Sequence, residues 1–223
     1  MTRTIVFDLN GTLLDLSALD PEFRRLFGDA DVRKDWFKQL TELFLTATII
    51  DDYQNFETLS DAALQMVAKQ HNVDLHAKDR AEILAASLTT PPFPDVRDGL
   101  EKRKGAGFTL AILTNSTLKS AEARLKSAGL HDYFTAVLST DAVDCYKPAA
   151  TAYRYAAKQL DVELGDMRLV AAHGWDIAGA MKAGCKAAFI ARPEQELNPK
   201  SPEPEITGPD LLSVAKKIID RDA

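Results

Sequence analysis

Residues 4–15 read TIVFDLNGTLLD, and this stretch decides the fold. Its first four residues are apolar or β-branched without interruption, the composition of a strand buried on both faces of a parallel sheet. The run stops at Asp8, and Gly11 follows as a turn signal. In an open parallel sheet, reactive groups collect where the strands end. Asp8 is therefore a candidate functional carboxylate as well as the end of a strand.

Similar short runs recur downstream: TLAIL at 109–113, AVL at 136–138, RLVAA at 168–172 and AAFI at 187–190. Amphipathic stretches at 96–104, 118–128, 149–160 and 177–183 read as the helices between them, with Gly107, Gly129 and Gly184 where C-terminal caps are expected. This alternation predicts an α/β fold, a Rossmann-like doubly wound parallel sheet. One stretch breaks the rhythm. From 16 to 90 the apolar spacing is helical throughout, as in Trp36, Phe37, Leu40, Leu43 and Phe44, or Leu59, Ala62, Ala63, Met66 and Val67. The expected organisation is a catalytic core of residues 1–15 and 91–223, with an all-helical cap of 16–90 hinged near 14–16 and 90–94. Segment 198–209, with Pro199, Pro202, Pro204 and Pro209, is expected to be an extended surface strap leading to a last helix over 210–219.

Composition narrows the class. The chain has 223 residues, 46% hydrophobic and 27% charged, an ordinary globular balance. With 27 basic and 33 acidic residues the formal charge is −6, the wrong sign for a general nucleic-acid binder. No stretch has the apolar length of a membrane span or the h-region of a secretion signal. Two cysteines, Cys145 and Cys185, without a CxxC, and only four histidines argue against a structural zinc site. The expectation is a cytoplasmic enzyme with no nucleic-acid or membrane partner.

The residues just past the expected strands are Asp8, then Thr114, Asn115 and Ser116, then Lys147 after a loop, then His173 and Asp176. A nucleophile, hydroxyl and amide groups, a cation and a second acid would converge in one crevice. A small anion can be drawn into such a cleft even in an acidic chain, because nearby groups set the local field.

These positions carry a resemblance. FDLNGTLLD (7–15), LTNS (113–116), YKP (146–148) and AAHGWDIAGA (171–180) resemble, in order, the four motifs of the haloacid dehalogenase superfamily. Most members of that superfamily are phosphatases. Those carry an acidic general acid two residues after the nucleophile, and bind Mg²⁺ with help from an acid after the fourth core strand. Here the first position is Asn10 and the second is Ala171-Ala172. An amide cannot donate a proton as a general acid, and the remaining carboxylates make a poor Mg²⁺ site. The pattern is similar to the type II, L-specific 2-haloacid dehalogenases, which need no metal or other cofactor.

The resemblance implies that Asp8 displaces halide from C2 of a small anionic 2-haloacid and forms an ester that water hydrolyses. Lys147 would keep Asp8 ionised, Thr12 would hydrogen-bond it, and Asp176 with His173 would orient or activate the water. Thr114, Asn115 and the backbone N–H groups of Leu9 and Asn10 would grip the substrate carboxylate or the developing oxyanion. Phe56 and Tyr153 fall at pocket positions of the family, and Trp175 lies in the matching WD motif. Dehalogenases of this kind often receive the halide on an arginine of the first long cap helix, but residues 35–39 here are DWFKQ. Arg33 is close by, and Trp36 and Phe37 with Asn10 or His173 could form another cradle. Exposed cap helices could pair as a homodimer, as in similar enzymes. Two other readings stay open: a phosphatase-type hydrolase with weak Mg²⁺ binding, and a catalytically silent binder of small carboxylates.

Overall fold

The computed structural model describes residues 3–222. Six strands, β1 (Thr4–Phe7), β2 (Thr109–Thr114), β3 (Ala136–Ser139), β4 (Met167–Ala171), β5 (Lys186–Ile190) and β6 (Ile206–Gly208), form one sheet in the order β3-β2-β1-β4-β5-β6. Every pair is parallel, and β1 is central: Thr4 aligns with Thr109 on one side and Met167 on the other. The order reverses direction at β1, the switch point where ligands bind in open α/β sheets. Asp8 projects from that point.

Alternation along the strands feeds two core layers. Ile5, Phe7, Leu110 and Ile112 pack with Leu100, Leu125, Val214 and Ile218 from α5 (Val96–Gly105), α6 (Leu118–Ser127) and α9 (Leu211–Asp222). Val6, Ala111, Leu113 and Leu169 face the other way, toward Tyr153, Ala156, Ile177 and Ala180 from α7 (Ala150–Gln159) and α8 (Gly174–Ala183). Helix α8 starts ahead of the expected 177, so Asp176 lies inside its first turn.

Between Leu16 and Thr89 the chain is helical, with α1 (Asp20–Phe27), α2 (Val32–Ile49), α3 (Phe56–Gln70) and α4 (Ala77–Ala86). Its own core joins Phe23, Trp36, Leu40, Phe44, Leu64, Val67 and Ile83, and it takes in Tyr146 from the sheet side. Where the chain leaves and rejoins the sheet, the two passes pair: Asp15 N–H donates to Pro91 O at 2.8 Å and Phe93 N–H to Leu13 O at 3.0 Å.

The strap corrects one expectation. Segment 198–209 is not extended coil throughout, because Ile206–Gly208 adds a strand to β5. Three residues between prolines are too few for a periodicity to register; Ile206 and Gly208 are buried while Thr207 faces out. No helix among the described residues is long and apolar enough to cross a membrane.

Candidate active site

Asp8 ends β1 and is almost fully buried. Its Oδ1 accepts from Lys147 Nζ at 2.9 Å, and its Oδ2 from Thr12 Oγ1 at 2.7 Å. His173 Nδ1 lies 3.0 Å from the same Oδ2. The turn that brings Thr12 back depends on Gly11, whose φ is +71° and where a Cβ would sit 3.1 Å from His173 Nε2. A side chain there would be strained, and the imidazole would have to give by a few tenths of an ångström. The ring of His173 is stacked between Phe37 (5.4 Å, 23°) and Trp175 (5.1 Å, 15°), which fixes its plane.

Lys147 is fully buried and bridges two acids, since Nζ also donates to Asp176 Oδ2 at 2.6 Å. Burial by itself would raise the Asp8 carboxyl. The Lys147 ammonium, His173 and the Thr12 hydroxyl outweigh that, and hold Asp8 well below the usual carboxylate range. Burial likewise disfavours the Lys147 cation, but the charges of Asp176 and Asp8 overcome it and push Lys147 up. Asp176 is raised by burial and by the charge of Asp8, against the pull of Lys147. Of the two buried carboxylates, Asp8 is thus the one held ionised.

Asp8, Asn10, Phe37, Phe56, Thr114, Asn115, His173 and Trp175 surround one small cavity, joined by Phe44. Five other expected site residues stand elsewhere. Lys147, Asp176 and Thr12 are packed behind Asp8. Asp176 is fully buried, and each of its oxygens has a donor, Lys147 Nζ on Oδ2 and Tyr153 Oη on Oδ1, both at 2.6 Å. Tyr153 is therefore not a pocket residue: from α7 its hydroxyl reaches beneath α8, where it holds Asp176. Leu9 gives its side chain to the hydrophobic core. Asn115 lines the cavity, yet its amide is engaged with the next loop, accepting from Lys147 N at 2.9 Å and donating to Lys147 O at 3.3 Å. Arg33 is paired with Asp20.

One charged group was missed. Arg124 on α6 is 5% exposed and reaches Asn10. The signal was present: Ala121, Arg124, Leu125 and Ala128 share one buried helical face, so an arginine stands where an apolar residue belongs.

The donor set does not suit Mg²⁺. Both oxygens of Asp8 and of Asp176 already face donors, and Ala171 and Ala172 offer no side-chain oxygen. Among the described residues, no group of three or more His, Cys, Asp or Glu side chains is placed to hold a metal ion.

The family model for haloacid dehalogenase-like hydrolases matches residues 2–184. The chain belongs to that family. It is 31% identical over 192 residues to an (S)-2-haloacid dehalogenase of Pseudomonas sp. (strain YL), covering 85% of this chain and 83% of the relative. It is 30% identical over 203 residues to (S)-2-haloacid dehalogenase 4A of Burkholderia cepacia, covering 88% of each. In fold it matches the L-2-haloacid dehalogenase of Xanthobacter autotrophicus, with a TM-score of 0.93 at 22% identity over 100% of both chains. The Rossmann-like core with inserted helices is the architecture of this hydrolase family.

Proposed function

We propose that this family member hydrolyses short (S)-2-haloacids to 2-hydroxyacids through an ester on Asp8, without a metal. The observation that carries this reading is a carboxylate held ionised by Lys147, Thr12 and His173 at the wall of a small, largely aromatic cavity. Displacing halide from carbon needs a nucleophile of this kind and no proton on the leaving group, so Asn10 in place of an acid is no handicap. The names of the similar Pseudomonas and Burkholderia proteins support the same substrate class.

In the first step an Asp8 oxygen bonds to C2 while the carbon–halogen bond breaks, and both electrons leave with the halide. Water then attacks the ester carbonyl. The oxygen not bonded to substrate gathers negative charge, and donors already face both oxygens, Lys147 on one and Thr12 and His173 on the other. The adduct collapses by breaking the bond from the Asp8 carboxyl carbon to the substrate oxygen. That oxygen leaves as the hydroxyl of the 2-hydroxyacid with the proton taken from the water, and Asp8 gives its acid proton to solvent and is a carboxylate again. Asp176 is engaged on both sides, so its part is to position Lys147. His173, the titratable group on the cavity wall besides Asp8, takes the proton from the attacking water. Residues 16–90 act as a cap over a core of 1–15 and 91–223. Pairing of two copies through that cap would cover Ile49 and Ile50, which are 81% and 62% exposed at the end of α2.

The test is halide release from (S)-2-chloropropionate with and without EDTA, together with intact-protein mass after rapid quenching. Release should resist EDTA, and Asp8→Asn should abolish both release and the mass increase of the ester. Magnesium-dependent phosphate release from phosphate esters without halide release would overturn the reading in favour of a phosphatase. Stabilisation by small carboxylates with neither reaction would leave a binder.

A further inference from the structure

Three cations on the wall of the neighbouring surface groove each have a carboxylate within ion-pair distance: Arg33 with Asp20, Lys34 with Asp31 and Arg192 with Asp95. Arg124 has none. Its Nε donates to Ser87 O at 3.0 Å, its Nη2 to Ser87 Oγ at 3.0 Å, and its Nη1 to Ser116 Oγ at 2.6 Å and Asn10 Oδ1 at 3.3 Å. All four contacts are to neutral oxygens. Glu57, the acid whose charge partly offsets it, accepts from Thr117 Oγ1 at 3.1 Å and forms no ion pair with Arg124. Burial lowers Arg124 to about 10, so it remains a cation at neutral pH.

A buried, unneutralised guanidinium is costly unless an anion visits it. Arg124 lines a second small cavity, bounded by Asn10, Trp36, Phe37, Phe56, Ser60 and Ser87. Asn10, Phe37 and Phe56 also bound the cavity of Asp8, so the two are neighbours across Asn10. Each has room for about one water-sized guest, and a single chloride or bromide, which is larger than a water, fits once the side chains of the lining give way slightly. Lys147 cannot serve as the cation for a leaving anion, because two carboxylates already hold it.

We propose that Arg124, on the core helix α6, is the cation that receives the departing halide, in the cavity it shares with Asn10, Trp36, Phe37 and Phe56. The proposal rests on the dehalogenase reading for its role in turnover, though not for the binding of halide itself. As Asp8 bonds to C2 and the carbon–halogen bond breaks, negative charge moves from the carboxylate to the halogen. Arg124 and the aromatic ring edges meet that charge away from Lys147.

Two measurements separate the site from the reaction. Bromide and iodide quench tryptophan fluorescence, and Trp36 lines the proposed site while Trp175 lines the Asp8 cavity. The protein should show a saturable quench that Trp36→Phe removes and Arg124→Met weakens tenfold or more, with Arg124→Lys between. In turnover, Arg124→Met should lower kcat/KM for 2-chloropropionate at least tenfold more than for 2-bromopropionate, since the poorer leaving group leans harder on the cation. It should also relieve inhibition by added bromide. A quench that stays linear, or that survives Trp36→Phe, overturns the site even if Arg124→Met does not fold. An unchanged chloride-to-bromide ratio in folded Arg124→Met overturns its role. A saturable, Arg124-dependent quench in a protein that releases no halide from any haloacid would keep the site and sink the dehalogenase reading.

Discussion

Lys147 touches two carboxylates and no solvent, which makes it the residue whose loss should change most. Asp8 is held below its ordinary value, so its contribution to stability is complete above an unfolded value of about 3.9 and fades as pH falls through the folded one. Lys147 is pushed up, so its contribution is complete below about 10.4 and is lost only as pH rises past that. Asp176, raised by burial, works against stability as pH climbs above about 3.9. Lys147→Met leaves two buried acids facing each other, and burial then raises both. The variant should be about 3–5 kcal/mol less stable at pH 7, with the deficit shrinking toward pH 4 as one acid keeps its proton. The acid limb of kcat/KM should move to higher pH for the same reason. Urea midpoints across that range and a pH–rate profile check this; stability curves running parallel to the wild type would show that Lys147 does not control these charges.

At the scale of elements, strand ends were the legible part of the site. Asp8, Thr114, Asn115, His173 and Asp176 each follow a strand that its apolar run announces, so their convergence follows from sheet topology alone. What a side chain does there depends on neighbours remote in sequence. Tyr153 read as a pocket residue because its distance along the chain from Lys147 says nothing of the direction α7 presents. Arg124 went unread because a buried arginine has meaning only once Ser87, Ser116 and Asn10 surround it. β6 was hidden by its shortness. Close packing between α7 and α8 carries a further consequence at Gly179, where a Cβ would meet Pro148 O and Tyr153 Oη, both at 2.7 Å. Gly179→Ala should cost about 1–3 kcal/mol by overpacking and should lower the rate as well, since Pro148 anchors Lys147 and Tyr153 holds Asp176. Gly165, with nothing within 4 Å of its Cβ position, is the matched control. Thermal midpoints and initial rates of both alanine variants test this, and equal effects at the two sites would refute it.

For the whole molecule, the cavity at Asp8 has room for about one water, whereas a haloacid carries a carboxylate, a carbon skeleton and a halogen. The helical layer must therefore move away from the sheet for substrate to enter and product to leave. The paired passes at Leu13–Phe93 and Asp15–Pro91 are where that movement can be taken up. Holding the layer down are polar contacts across the seam: Tyr53 Oη to Asp141 Oδ1 at 2.5 Å, Tyr146 Oη to Gln54 O, and Tyr146 N–H to Thr48 Oγ1 at 3.1 Å. Tyr53→Phe removes the first of these and keeps the ring against Tyr146. At about 1 kcal/mol for a partly exposed hydrogen bond, the balance should shift about fivefold toward the open form. A helical layer closed back over the substrate holds it in place, so KM should rise several-fold, while kcat stays level or increases if opening limits turnover. Acrylamide should also quench Trp36 and Trp175 more strongly in the variant, because both line cavities that opening exposes. A Tyr53→Phe protein with unchanged KM and unchanged quenching would mean that substrate reaches Asp8 without separating the two layers at this seam, and the groove beside His173 and Phe37 would then be its route.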